Sequence, residues 1–209
     1  MKAQIAQLCT NFEKEKNVRI IFAVENGSRA WQMESADSDF DVRFVFVRPL
    51  KSYIQIHTPS EVLHGAFDKN FKPHPIQDSF IDFAGFDIFK FVKMVASSNP
   101  TTIEWLTTNI IYYGTQPEKL ILFVKNHFHP PSLYHHYKSM CKQNYVKYLK
   151  SGNLVTYKKY LYAYRGLVNA KWIVHKNSPP PIAFPDALQS MNEHIPESIL
   201  NLIKEIIQK

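Results

Sequence analysis

Val18-Arg19-Ile20-Ile21-Phe22-Ala23-Val24, then Glu25-Asn26-Gly27-Ser28-Arg29, then Ser38-Asp39-Phe40-Asp41-Val42-Arg43-Phe44-Val45-Phe46-Val47, is the stretch whose reading decides the fold. The first run is β-branched and aromatic and short enough for a buried strand, and the last reads as a second strand. Side chains alternate across a strand, so Asp39, Asp41 and Arg43 share one face and Phe40, Val42 and Phe44 the other. Two carboxylates therefore converge at one sheet edge. Like charges this close are unfavourable unless a cation compensates them, and hard oxygen ligands suit Mg²⁺, or Mn²⁺ in its place. Gly27 lets the backbone approach a ligand closely. Ser28 opens a helix through Arg29-Ala30-Trp31 whose free N–H groups would attract a phosphate. Taken alone, Asp-Phe-Asp also fits a solvated strand entrance.

A third acid lies in Ser79-Phe80-Ile81-Asp82-Phe83-Ala84-Gly85-Phe86-Asp87. Alternation places Phe80 with Asp82, and an acid inside an otherwise apolar strand is the exception that invites a functional reading. Asp87 precedes Ile88-Phe89-Lys90-Phe91 and fits an N-cap instead. Asn99-Pro100 caps and starts a further helix through Glu104-Trp105-Leu106, and Ile110 to Tyr113 reads as a last short strand. At the amino end, Ile5, Leu8, Cys9 and Phe12 recur at helical spacing, so residues 1–16 predict an amphipathic helix. Residues 50–78 are hard to read, and extra strands around Tyr53–His57 and Glu61–His64 are as consistent with them as a loop excursion.

Composition bounds the class. The chain has 209 residues, 45% of them hydrophobic and 21% charged, which is ordinary for a globular protein of one large domain or two small ones. No run of eighteen apolar residues occurs and the amino terminus carries no signal-like apolar segment, so a cytosolic protein without a membrane partner is expected. Cys9 and Cys141 lack the spacing of a disulfide framework or a zinc site.

The net charge of +7 is unevenly placed. Residues 121–178 hold ten Lys/Arg and no acid, interleaved with tyrosines from Tyr134 to Tyr164 and with Trp172. That suits a polyanion, with cations on phosphates and rings under bases, although a helical bundle with lysines on its wet faces has the same composition. From Gln116 onward helices are expected over about 116–127, 132–150, 154–176, 184–193 and 196–208, the breaks being rich in Pro, Gly, Ser and Asn. On the third of these, Lys158, Tyr162, Arg165 and Asn169 form one polar stripe beside an apolar stripe of Leu154, Leu161, Val168 and Trp172.

Strand, Gly27-Ser28, ten residues, then Asp39-x-Asp41 opening a second strand resembles the signature of the DNA polymerase β-type nucleotidyltransferases. Gly27 to Trp31, Asp37 to Phe44, Val47-Arg48-Pro49, Asp87-Ile88-Phe89-Lys90 and Tyr157 to Arg165 together resemble the predicted nucleotidyltransferases associated with RNA repair, the RNA ligase-associated polymerase-like proteins. The resemblance implies an α+β catalytic domain over 1–113, a mixed sheet with flanking helices, and an all-helical nucleotide- and nucleic-acid-binding domain over 114–209. It implies transfer of a nucleoside monophosphate from an NTP to a hydroxyl, an RNA 3′ end being the leading acceptor and a protein or small molecule the alternative. A non-catalytic RNA-binding module is a third reading, disfavoured by the intact acids. Asp39, Asp41 and Asp82 would be the catalytic and metal-binding acids, with Asp82 the base. Gly27, Ser28, Arg29, Arg43, Lys90, Lys158, Tyr162 and Arg165 would contact the nucleotide, with Arg43 neutralising charge as pyrophosphate leaves.

Overall fold

The computed structural model describes residues 1–57, 59–150 and 156–207. In chain order it runs α1 Lys2–Lys16, β1 Arg19–Asn26, α2 Gly27–Ala30, β2 Phe40–Val47, a 3-10 turn Leu50–Tyr53, β3 Val62–Phe67, β4 Ile81–Asp87, α3 Ile88–Ala96, α4 Pro100–Thr107 and β5 Ile111–Gly114. Helices follow: α5 Glu118–His127, α6 Pro130–Asn144 with a π-helical turn Tyr145–Leu149, α7 Tyr157–Lys176, α8 Phe184–Ser190 and α9 Glu197–Ile207. The fold is the expected α+β sheet with flanking helices and a helical C-terminal region. Leu154 lies outside the described residues. Among these residues no helix is long and apolar enough to cross a membrane.

The five strands lie in the order β3-β4-β2-β1-β5. β2 and β4 are parallel, the other pairs antiparallel. The parallel register sets Asp41 directly opposite Asp82. Strict alternation along β1 would put Ile20, Phe22 and Val24 on one face. A bulge between Ile20 and Phe22 shifts that parity. Ile20 and Ala23 therefore join the core under α1, with Val42, Phe44, Phe46, Ile81 and Phe83, while Phe22 and Val24 join the opposite core. The α1 side chains that close the first core are Ile5, Leu8, Cys9 and Phe12, as their spacing predicts. Phe80 lies before β4 begins and packs edge-on against Phe40 in this core, so it does not share the Asp82 face.

The second core joins Phe22, Val24 and Val45 to α3, α4, α5, α6 and α7 through Phe91, Trp105, Val124, Leu133, Tyr137 and Ile173. It runs across residue 113, so the helical region is built onto the sheet. A third core, around Leu161, Val168, Phe184, Met191 and Ile203, holds α7 to α8 and α9 and takes in Met33 from beyond the Gly-Ser turn. Asp87 accepts from the Phe89 amide and Asn99 from the Thr101 amide, capping α3 and α4. Residues 50–78 contribute the 3-10 turn, β3 and a second 3-10 turn, Ile76–Asp78; Tyr53 donates its hydroxyl to Asp87, tying this excursion to the end of β4.

Candidate functional site

Asp41 and Asp82 meet on the sheet face that carries the second core, and Asp41 lies in a cleft whose lining includes residues of α6 and α7. Arg43, two residues along β2, lies between them: its Nη2 donates to Asp41 Oδ1 at 2.8 Å and to Asp82 Oδ2 at 2.7 Å, and its Nη1 donates to the Asp82 carbonyl at 2.9 Å. The guanidinium is thus the built-in counter-ion of the acid pair. While those bonds hold, its terminal nitrogens are engaged by Asp41 and Asp82, at the edge of the same cleft. Even so, burial pushes the Asp41 carboxyl up to about 6, and the charges of Asp39 and Asp82 add to burial against the pull of Arg43.

Gly27 shows why a glycine stands there. Its φ is +69°, and a Cβ at this position would lie 1.9 Å from Asp41 Oδ2. Gly27→Ala is expected to cost more than the roughly 1–2 kcal/mol of left-handed strain alone, because Asp41 must also move. Urea unfolding measures it, and a loss below about 0.5 kcal/mol, the range of ordinary surface changes, would mean that the turn does not hold this close contact. Ser28 is buried, at 2% exposure. α2 is only four residues long, so the helix-dipole attraction expected after Ser28 reduces to the amides of a single turn.

Arg29 is occupied elsewhere. Its Nε donates to the Asp39 carbonyl at 2.9 Å, its Nη2 donates to the Ser38 carbonyl, and its guanidinium lies 4.0 Å from the Phe40 ring centre. These contacts fix the approach to Asp39. Lys90 is also displaced: it pairs with Glu61 and lies over Phe86 near the far end of β4. The Phe46–Asp87 register is five positions from Asp41–Asp82, about 16 Å of strand. In this arrangement Lys90 sits in a surface ion pair away from the two acids.

α7 supplies the roof. Lys158 donates to Ser38 Oγ at 3.1 Å, and its charge favours ionised Asp41. Tyr162 stands edge-on to Trp31 at 5.8 Å; burial, with Asp41 and Asp39 nearby, pushes its hydroxyl up to about 12. Arg165 and Asn169, expected on a polar stripe, are 3% and 1% exposed, because that stripe faces the sheet. Arg165 ion-pairs with Glu104 of α4 and lies 3.8 Å over the Trp31 ring. Trp31 donates its indole N–H to Glu104 at 2.8 Å, and Tyr137 donates its hydroxyl to the same carboxylate at 3.1 Å. Arg165 is therefore a clamp between the two halves of the chain. Its partner is 61 positions away in sequence.

These elements enclose a cleft of about 300 Å³ lined by Asn26, Gly27, Asp41, Arg43, Asn144, Tyr162 and Arg165, among others. Two buried polar atoms of its lining, Asn26 Oδ1 and Arg165 Nε, have no hydrogen-bond partner. Buried atoms of this kind are costly unless a ligand or water completes them. Glu25, unremarked in the sequence reading, is fully buried: it accepts from the Asp41 amide at 2.9 Å and from the Tyr112 hydroxyl, and burial pushes its carboxyl up to about 7. An acid inside the apolar β1 run is the same signal that picked out Asp82.

The charges of Asp39 and Asp82 both bear on Asp41, which lies against the bare backbone of Gly27, and carboxylate oxygens are the donors Mg²⁺ or Mn²⁺ prefers; among the described residues, however, no three acid, His or Cys side chains are gathered as a ready-made metal site. Residues 1–208 match a protein family described as "RNA repair pathway DNA polymerase beta family". An uncharacterized Bacillus subtilis protein, YcgL, is 34% identical over 209 residues, covering 99% of this chain and 75% of its own length.

Proposed function

Because the chain belongs to the RNA repair pathway DNA polymerase β family, we propose that it transfers a nucleoside monophosphate from an NTP to the 3′ hydroxyl of an RNA. The observation that carries this is the register of β2 and β4, which sets Asp41 against Asp82 beside the bare backbone of Gly27. Polymerase β-like nucleotidyltransferases generally use divalent metals; Asp39, Asp41 and Asp82 would hold them, and when bound they neutralise charge on the phosphate and the leaving oxygen.

The chain's own groups account for the rest. The acceptor oxygen bonds to the α-phosphorus, the bond to the pyrophosphate oxygen breaks, and the hydroxyl proton passes to Asp82. Arg43 fixes Asp82 through both its carboxylate and its carbonyl. Gly27 leaves room for the triphosphate against Asp41. Lys158 adds positive charge at the cleft entrance, and Tyr162, protonated throughout the neutral range, presents a donor. Arg165 and Glu104 hold α7 in place above them.

The test is incubation with each α-labelled NTP, Mg²⁺ or Mn²⁺, and short RNA or total protein. RNA lengthened by one nucleotide with pyrophosphate released is expected; label on protein alone would overturn the acceptor. Asp82→Asn should lower turnover by about 10²–10⁴-fold, the usual contribution of a general base, with NTP affinity kept within a few-fold. Equal loss of NTP affinity would demote Asp82 to a scaffold.

A further inference from the structure

α6 and α7 touch closely at one point: a Cβ on Gly166 would lie 2.9 Å from the Cys141 amide nitrogen and 3.0 Å from the Tyr137 carbonyl oxygen. Outside that contact a groove of about 560 Å³ opens between the helices, lined by Tyr134, Lys138, Lys142, Tyr145, Lys171 and His175 among others. Lys142 also lines a neighbouring hollow of about 580 Å³ with Gln143 and Lys147 on the outer face of α6. Within α6, at 100° per residue, Gln143 sits beside Met140 and Asn144, and these two line the carboxylate cleft. One surface therefore winds around α6 from the groove to the acids.

Its charge is of one sign. Neither hollow has an acid in its lining, and the sequence has none between residues 121 and 178. Tyr145 is 52% exposed, and Tyr148 lies between Lys147 and Lys159 at 4.9 and 4.6 Å from its ring centre. A solvated bundle surface ordinarily mixes both signs of charge. Cations without acids, spaced among accessible rings, are what a single strand needs, with phosphates on lysines and bases on tyrosines.

We propose that the α6–α7 groove and the outer face of α6 form the track along which single-stranded RNA reaches the carboxylate cleft. The proposal rests on the RNA-acceptor reading above and adds the path. Tyr145 stacks a base at the groove, and Lys142 and Lys147 hold the phosphates that carry the strand over α6.

The experiment is fluorescence anisotropy of a labelled single-stranded oligoribonucleotide, titrated against the full-length protein across salt concentrations, with NTP binding and RNA extension measured in parallel. Wild-type affinity should fall steeply with salt. Lys142→Glu with Lys147→Glu should weaken binding at least tenfold at low salt and flatten the log–log slope by about 1.4, or 0.7 per lost phosphate, while NTP binding is unchanged. Tyr145→Ala should weaken binding by about 5- to 150-fold and leave the slope intact. Thermal melts verify folding, and Lys142→Gln with Lys147→Gln gives the same slope change without reversed charge. An unaltered slope and affinity in these variants would overturn the track, even if wild-type protein extends RNA. Competition by polyglutamate as strong as by RNA would overturn it too, by assigning the groove to an acidic polypeptide. RNA binding that responds as expected, with no transfer to RNA, would uphold the track and remove the acceptor reading instead.

Discussion

Asp41→Asn is expected to lower nucleotidyl transfer by about 10³-fold or more, beyond the 10–100-fold that loss of an outer-shell partner costs, while making the metal-free protein more stable at neutral pH. The two effects have one cause. Asp41 is held at about 6 against an ordinary 3.8, so the folded state binds its proton more tightly than the unfolded chain. For a raised carboxyl the stability is full below the unfolded value and is lost as pH rises from about 4 to about 6, staying lost above. Glu25, raised from 4.5 to about 7, has the same sign and extends the decline to about pH 7. Asn removes the Asp41 share. The Asp41 side chain is 22% exposed, so the gain is discounted to about 1–2 kcal/mol, or a few degrees in Tm at pH 8. Saturating Mg²⁺ should reverse the order by stabilising wild type alone. Melts at pH 4 and pH 8 with and without Mg²⁺, beside turnover, decide it. A variant that keeps a tenth of wild-type turnover, or that melts below wild type at pH 8 without metal, would refute the assignment of Asp41.

Glu104→Ala should produce the largest loss of stability in the chain. It leaves Arg165 charged and 97% covered with no acid beside it, and it deprives the Trp31 and Tyr137 donors of their acceptor. Breaking a buried pair from one side costs about 3–5 kcal/mol, which for a chain of this size is a Tm drop of roughly 10 °C. Arg165→Met in the same background should restore part of it, because the stranded charge goes with the arginine. Glu104→Gln keeps an acceptor and should be milder than Ala. Strictly additive Glu104→Ala and Arg165→Met losses would mean that the two side chains are not coupled. Trp31 follows the Gly-Ser turn directly, so the surviving Glu104→Ala fraction should also show weaker NTP binding.

Local patterns are legible in the sequence. Asp39 and Asp41 sit at a strand entrance, Asp82 interrupts an apolar strand, and Asp87 and Asn99 precede their helices, each pattern set by neighbours within a few residues. Glu104-Trp105-Leu106 reads as architecture from sequence and is architecture in the fold. Glu25 is legible by the same rule as Asp82, as an acid inside an apolar strand. The arginines were not legible. Whether Arg29, Arg43 and Arg165 face a ligand or a partner within the chain depends on carbonyls and carboxylates brought from 2 to 61 positions away. A guanidinium has several donors in a rigid fork and is taken by whatever acceptor arrives first in space.

Sequence by itself determined the mixed α+β class and, outside residues 50–78, most of its elements, because helical and strand periodicity and the need for a glycine at a tight turn are short-range properties of the chain. Tertiary structure alone decided which polar side chains are interior. The α7 stripe of Lys158, Tyr162, Arg165 and Asn169 is polar in composition, yet it faces inward, where Lys158 donates to Ser38, Arg165 pairs with Glu104 and Tyr162 stands edge-on to Trp31. The parallel alignment of β2 and β4 that sets Asp41 against Asp82, and the bulge that turns Phe22 and Val24 toward the helices, depend on pairing between residues 15 to 41 positions apart. Pairing across such distances is fixed by the competition among all strands for one core, and no single stretch of sequence carries that information.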